Sequence, residues 1–255
     1  YLDKLEIEYE TICKQAGMEV WEYYSDTSKS SMGKHKELFS QLLLNDSTIA
    51  NINNWSLEIN KISNDTLIRR LALWKNIITC AQVDFSPEVM GLQSMLETQL
   101  SNYPSPGISD DELEHSISKL IKLRNDKAKH LGYGNYAHMV LQTSGIDTLW
   151  FENLIHKLDS GTSKAYTVFI QNHFPNQPKV EYKDLRKYIT QSYLIHDDPV
   201  IEDNKKEQLI YETLTDIGID LDTLPIQFEI TELPPGIGGF GNCIDIPNDF
   251  RAVAE

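Results

Sequence analysis

Apolar residues recur at steps of three and four along most of this sequence, and that period belongs to helices. Leu2, Leu5, Tyr9, Ile12, Ala16 and Val20 make one stripe of a long helix that runs on towards Trp21 and Tyr24. The stretch SDTSKSSMGKH breaks it, and Leu38, Phe39, Leu42 and Leu43 begin a second helix. Leu67, Ile68, Leu71, Trp74, Ile77 and Ile78 mark a third pattern, with Asn64 or Asp65 as its cap. Val89, Leu92, Met95, Leu96 and Leu100 mark a fourth. SNYPSPGISDDE then interrupts, because two prolines and a glycine do not continue a helix. Ser109 followed by Glu112 has the form of a capping box, and Gly132 sits where a helix-ending glycine belongs. Ile117, Leu120, Ile121, Ala128 and Leu131 fill the span between them. Further helical patterns cover about 135–142, 148–172, 182–193 and 203–217, the last closed by Gly218 and Pro225.

The period changes only near the end. IQFEIT alternates Ile226, Phe228 and Ile230, which is a strand period, and GIGGFGNCIDIPNDFRAVAE offers a second alternating run around a Pro247-Asn248-Asp249 turn. The expected fold is therefore mainly α, with a small β-hairpin near the C-terminus. It divides into helical regions at 1–103 and 104–225 and a β segment at 226–255.

Composition narrows the function classes. The 255 residues are 40% hydrophobic, enough for a sizeable core. With 23 basic against 38 acidic residues the net charge is -15, a surface that repels phosphate backbones and argues against nucleic acid as a partner. No apolar run is long enough to span a membrane. Cys13, Cys80 and Cys243 are too widely spaced for a disulfide framework or a thiolate metal cluster. The first residue is Tyr1 rather than Met. A removed leader would explain that and place the protein outside the cytoplasm, with a cytoplasmic location as the alternative. Asn45, Asn54 and Asn64 each begin a glycosylation-acceptor pattern that is common by chance.

Chemistry-bearing residues are sparse. The histidines, 35, 115, 130, 138, 156, 173 and 196, form no H-E-x-x-H. His130 and His138 are separated by Gly132 and Gly134, which keeps them off one helix face, so no metal ligands are identified within the chain. GIGGFGN lacks the Lys-Ser/Thr of a phosphate-binding loop, and HDDPVIED lacks calcium-loop spacing. Arg124 is more informative. It falls in step with Ile117, Leu120, Ile121 and Ala128, and a cation on an apolar face needs a partner. Either it anchors a neighbouring carboxylate or helix end, or it reaches into a cleft.

The stretch KLRNDKAKHLGYGNYAHMVL resembles the helix–turn–helix signature of the thimet-oligopeptidase and oligopeptidase F metallopeptidases, and of bacterial enzymes between them and angiotensin-converting enzyme. The resemblance rests on Arg124-Asn125, Ala128, Leu131-Gly132-Tyr133 and Asn135-Tyr136. YLDKLEIEYETICKQAGMEVWEYYSDTS and LIRRLALWKNIITCAQVD are similar to the first and next long helices of the bacterial group, and GGFGNCIDIPNDFRAVAE to the strand pair that precedes the zinc-binding helix. The family carries more helical sequence around SNYPSPGISDDE than this chain does.

The resemblance implies one incomplete catalytic domain of a zinc metallopeptidase that hydrolyses unfolded peptides. Zn2+ would be held, and water activated, by an H-E-x-x-H helix and a downstream Glu that residues 1–255 do not include, so this chain alone should bind no zinc and be inactive. It implies that Gly238, Gly239, Phe240, Asn242 and Cys243 line the substrate, which would add to the strand edge through backbone hydrogen bonds. Arg124, Asn125 and Tyr133 would be structural. A face meant for the rest of the enzyme would be exposed and would favour association. The alternative is a non-catalytic helical peptide-binding or scaffold module, with an ordinary hairpin at Pro247-Asn248-Asp249.

Overall fold

The computed structural model describes residues 1–25, 33–101, 109–177, 179–193, 203–230 and 239–254. Ten helices and a three-stranded sheet form among them, so the fold is mainly α. The breaks expected at SDTSKSSMGKH and SNYPSPGISDDE, and the acidic HDDPVIED, lie largely outside the described residues.

The first four helices are α1 (Leu2–Ser25), α2 (Lys34–Leu43), α3 (Asp46–Leu57) and α4 (Asp65–Asp84). They enclose a core in which Leu43, Ile52, Leu71, Trp74 and Ile78 are all buried. Each such side chain contributes about 1.5–3 kcal/mol by leaving water. Tyr9 of α1 meets Trp74 of α4 edge to face, with ring centroids 5.3 Å apart. A polar clamp runs beside that contact. Arg70 donates to both oxygens of Glu6, at 2.9 and 2.7 Å, and Trp74 Nε1 donates to Glu6 Oε1 at 3.2 Å.

Helix ends are specified by local chemistry. The side chains of Asn45 and Asn64 accept backbone N–H groups from Ser47 and Leu67, so two of the three glycosylation-like patterns are helix caps. The Ser109–Glu112 capping box opens α6 (Asp110–His130) with both reciprocal bonds in place. At its other end Gly132 has φ +92°, Gly132 N–H bonds to Lys129 O, and Tyr133 N–H reaches back to Ala128 O. That double bond is a Schellman closure, and it needs a residue without a Cβ penalty. Helix α2 is capped from a distance. Glu19, inside α1, accepts the N–H groups of Gly33 and Lys34 on Oε1 at 2.8 and 3.0 Å and that of His35 on Oε2 at 3.1 Å, with His35 Nδ1 2.6 Å from Oε2.

Ile226–Ile230 is strand β1, Gly239–Asp245 is β2 and Asp249–Ala254 is β3. The hairpin β2–β3 is present as expected, and β1 adds to it in parallel, giving the order β1-β3-β2. Helix α1 lies on one face of this sheet. Its Gly17 makes that possible, because a Cβ there would stand 3.1 Å from Cys243 O and 3.2 Å from Ile244 Cα.

The contacts divide the chain into two units, Tyr1–Gly145 with Gly218–Glu255, and Ile146–Ile217. The first thus unites the N-terminal helices, the Arg124 helix and the sheet. The second holds α8 (Thr148–His173), α9 (Tyr182–Tyr193) and α10 (Asp203–Asp216). Asp147 caps α8 by accepting Trp150 N–H. Phe169, His173, Phe174 and Tyr188 form an aromatic cluster joining α8 to α9.

Two glycines should respond oppositely to added side chains. Gly17→Val pushes α1 off the sheet backbone and should cost about 1–3 kcal/mol in urea unfolding. Gly91, inside α5 (Pro87–Ser101) with open space around it, should gain about 0.5–1 kcal/mol as Ala. Equal effects would disprove the close approach of α1 to the sheet.

Glu19 sets an acid limit. Burial pushes its carboxyl up, but bonds from Gly33 N–H, the His35 ring, His35 N–H and Lys34 N–H prevail and lower it from 4.5 to about 2. A depressed carboxylate stabilises the fold fully above its unfolded pKa and loses that contribution as pH falls through the folded one. Stability should therefore drop between about pH 4.5 and pH 2. Glu19→Gln should flatten that part of the profile; an unchanged slope would show that Glu19 is not the group responsible.

Candidate functional site

Strand β2 is an edge of the sheet, paired only to β3 among the described residues. Strand alternation divides its side chains between two faces. Phe240, Asn242 and Ile244 turn to α1. The Phe240 ring lies 5.2 Å from that of Trp21, Asn242 Nδ2 donates to Gly17 O at 2.7 Å, and Ile244 packs with Trp21 and Val253. Gly239, Gly241 and Cys243 share the opposite face with Phe250 and Ala252 of β3 and with Ile226 and Phe228 of β1, as the register requires. That face is apolar and low in relief around Gly241 and Ala252. Among the described residues, no helix packs broadly over it.

Of the expected substrate-lining residues, Gly238 lies outside the described residues. Gly239 is exposed on the open edge, and Cys243 is half-buried with a free thiol. The side chains of Phe240 and Asn242 are engaged by α1, so what they offer at the edge is backbone. Gly241, absent from the expected set, is exposed and completes the glycine edge.

A second polar centre surrounds Arg124. Its Nη2 stands 3.3 Å from Asp84 Oδ1, at the end of α4, and its guanidinium lies over the Tyr136 ring at 5.0 Å. Tyr136 opens α7 (Tyr136–Thr143) and donates its hydroxyl to the same Asp84 oxygen at 2.7 Å. Burial, then the bond to Asp84, pushes the Tyr136 phenol well above its usual range. Asn125 Oδ1 accepts Tyr136 N–H at 3.0 Å. Tyr133 packs on the buried cluster of Val83, Ala128 and Met139. Arg124, Asn125 and Tyr133 thus sit together where α4, α6 and α7 meet, and Arg124 anchors a carboxylate. Sequence reading missed Asp84 and gave Tyr136 no role beyond its place in the resemblance. The available signal was Arg124 itself, which demanded an acid on a neighbouring helix.

The described residues do not fit a zinc site. No group of three or more His, Cys, Asp or Glu among them is placed to hold a metal. His35 is held by Glu19, His130 by Asp126 O and His173 by Tyr188. No helix among the described residues is long and apolar enough to cross a membrane. Comparison with protein-family models, curated proteins and solved structures gave no match.

Arg124→Ala leaves Asp84 without its cation and should cost about 1–3 kcal/mol, read as a lowered melting temperature. Tyr136→Phe removes one hydrogen bond and should cost about 1 kcal/mol. An Arg124→Ala protein that melts with the parent would remove the anchoring role.

Proposed function

We propose that this chain forms one wall of the substrate cleft of a zinc-dependent metallopeptidase of the thimet-oligopeptidase and angiotensin-converting-enzyme-like group. The observation that carries this reading is the sheet edge. Among the described residues β2 presents an open row of backbone groups, Gly239 and Gly241 lie on it and leave the face beside it low, and α1 stiffens it from behind. An extended peptide can pair with such an edge, and pairing reads the main chain rather than the side chains. That suits an enzyme acting on unfolded peptides of many sequences. The apolar face beside the edge supports the same reading, since it calls for a covering element with an apolar stripe.

The zinc ligands and the water-activating Glu do not come from residues 1–255, which contain no H-E-x-x-H. Bound zinc would supply the activated water. The part of this chain is to bind the peptide extended and to keep its backbone in register through β2. Charge makes a modest further contribution. A net charge of -15 favours basic over acidic peptides, and salt weakens that preference.

The test uses the full-length gene product and an internally quenched peptide. Hydrolysis should stop with a zinc chelator and return with added Zn2+. Gly241→Val should raise KM severalfold with little change in melting temperature, because a Cβ at Gly241 makes only ordinary contacts with Arg251 O and Ala252. Chelator-insensitive hydrolysis would overturn the peptidase reading. Peptide binding without any hydrolysis would establish the non-catalytic binding module instead.

A further inference from the structure

Beside the Asp84 junction lies a cavity of about 370 Å³, bounded by α1, α2, α4 and the end of α7. Its size is that of a small-molecule pocket, and its make-up has one electrostatic sign. Tyr9, Phe39 and Phe85 form an aromatic wall, with centroids 5.4 Å apart between Tyr9 and Phe39 and 5.5 Å between Phe39 and Phe85. The lining also holds Asn76, Cys80 and Asp84, spaced four apart on one ridge of α4. Asn76 Nδ2 donates to Thr143 O at 2.8 Å, which leaves Asn76 Oδ1 as an acceptor. Tyr136 and Arg124 take Asp84 Oδ1, and Asp84 Oδ2 has no partner among the described residues. Helices α4 and α7 both end here, and a helix C-terminus is electronegative. No lining residue is basic.

We propose that this cavity binds a small organic ammonium ion, its hydrocarbon part among the aromatic rings and its charge directed to Asp84 and Asn76. Each component favours that one chemistry. The aromatic side chains suit its hydrocarbon part, a carboxylate and an amide oxygen accept its N–H groups, and the helix ends repel an anion. Arg124 stands behind Asp84 on one oxygen and does not line the cavity, so the other oxygen is left to accept a hydrogen bond from a ligand. The volume suits a free small molecule, and the site is independent of the β2 edge.

Titration calorimetry tests this with phenethylammonium against 3-phenylpropionate, which has the same ring and an opposite charge. Phenethylammonium should saturate one site and bind at least about tenfold more tightly. Leu73 lies on the rim and is 52% exposed, so Leu73→Glu adds a carboxylate without disturbing the core and should tighten binding. Asp84→Asn should weaken it about tenfold, with the melting temperature reporting any loss of fold. Equal affinity for the two probes, no binding in the millimolar range, or a Leu73→Glu protein that binds unchanged would each overturn the proposal. A blocked lysine binding more tightly than phenethylammonium would point to a protein side chain as occupant and overturn the small-molecule assignment.

Discussion

Asp84 is the residue on which three helices converge. It ends α4, and one of its oxygens receives both the Tyr136 hydroxyl of α7 and the Arg124 guanidinium of α6. The apolar contacts below are small, with Val83, Ala128 and Met139 fully buried among them. Apolar contact alone resists sliding poorly because it has no direction. The shared carboxylate supplies direction. Asn125, one residue beyond Arg124, then fixes the start of α7 through Tyr136 N–H, so a short stretch of α6 sets where the next helix begins.

Close approach plays the corresponding role at the sheet. Asn242 can reach Gly17 O only because Gly17 lets α1 lie against the β2 backbone. The aromatic pair of Trp21 and Phe240 seals the same contact, and Arg251 sits over the Trp21 ring while held by both Asp249 oxygens. The helix grips one face of a narrow sheet, and among the described residues no helix packs broadly over the other face and β2 pairs on one side only. A three-stranded sheet without such backing would be marginal.

The sequence made some of this legible and hid the rest for physical reasons. Caps written in consecutive residues were readable: Ser109 with Glu112, Asn64 before α4, Gly132 after α6. The cap on α2 was not, because Glu19 acts across fourteen to sixteen residues of chain. Helix α3 was hidden too. Its Asn-rich IANINNWSL has weak helical propensity, and what holds it is the burial of Ile52 and Thr48 against its neighbours. On α6 the apolar period overstated burial, since Ala128 is enclosed while Ile117 and Ile121 remain exposed. The glycine edge was visible as a pattern, but the division of β2 into an α1 face and an open face required the register. The ammonium cavity was invisible, because its walls come from four separate helices.

An exposed, glycine-rich edge is also a hazard, since a strand that can accept a peptide can accept another copy of itself. Charge opposes pairing between copies. At -15, two copies repel as they approach, and the repulsion acts over about a Debye length, roughly 8 Å at physiological salt. A short neutral or basic peptide would meet no such barrier. Raising the salt would weaken that repulsion before it altered the strand itself.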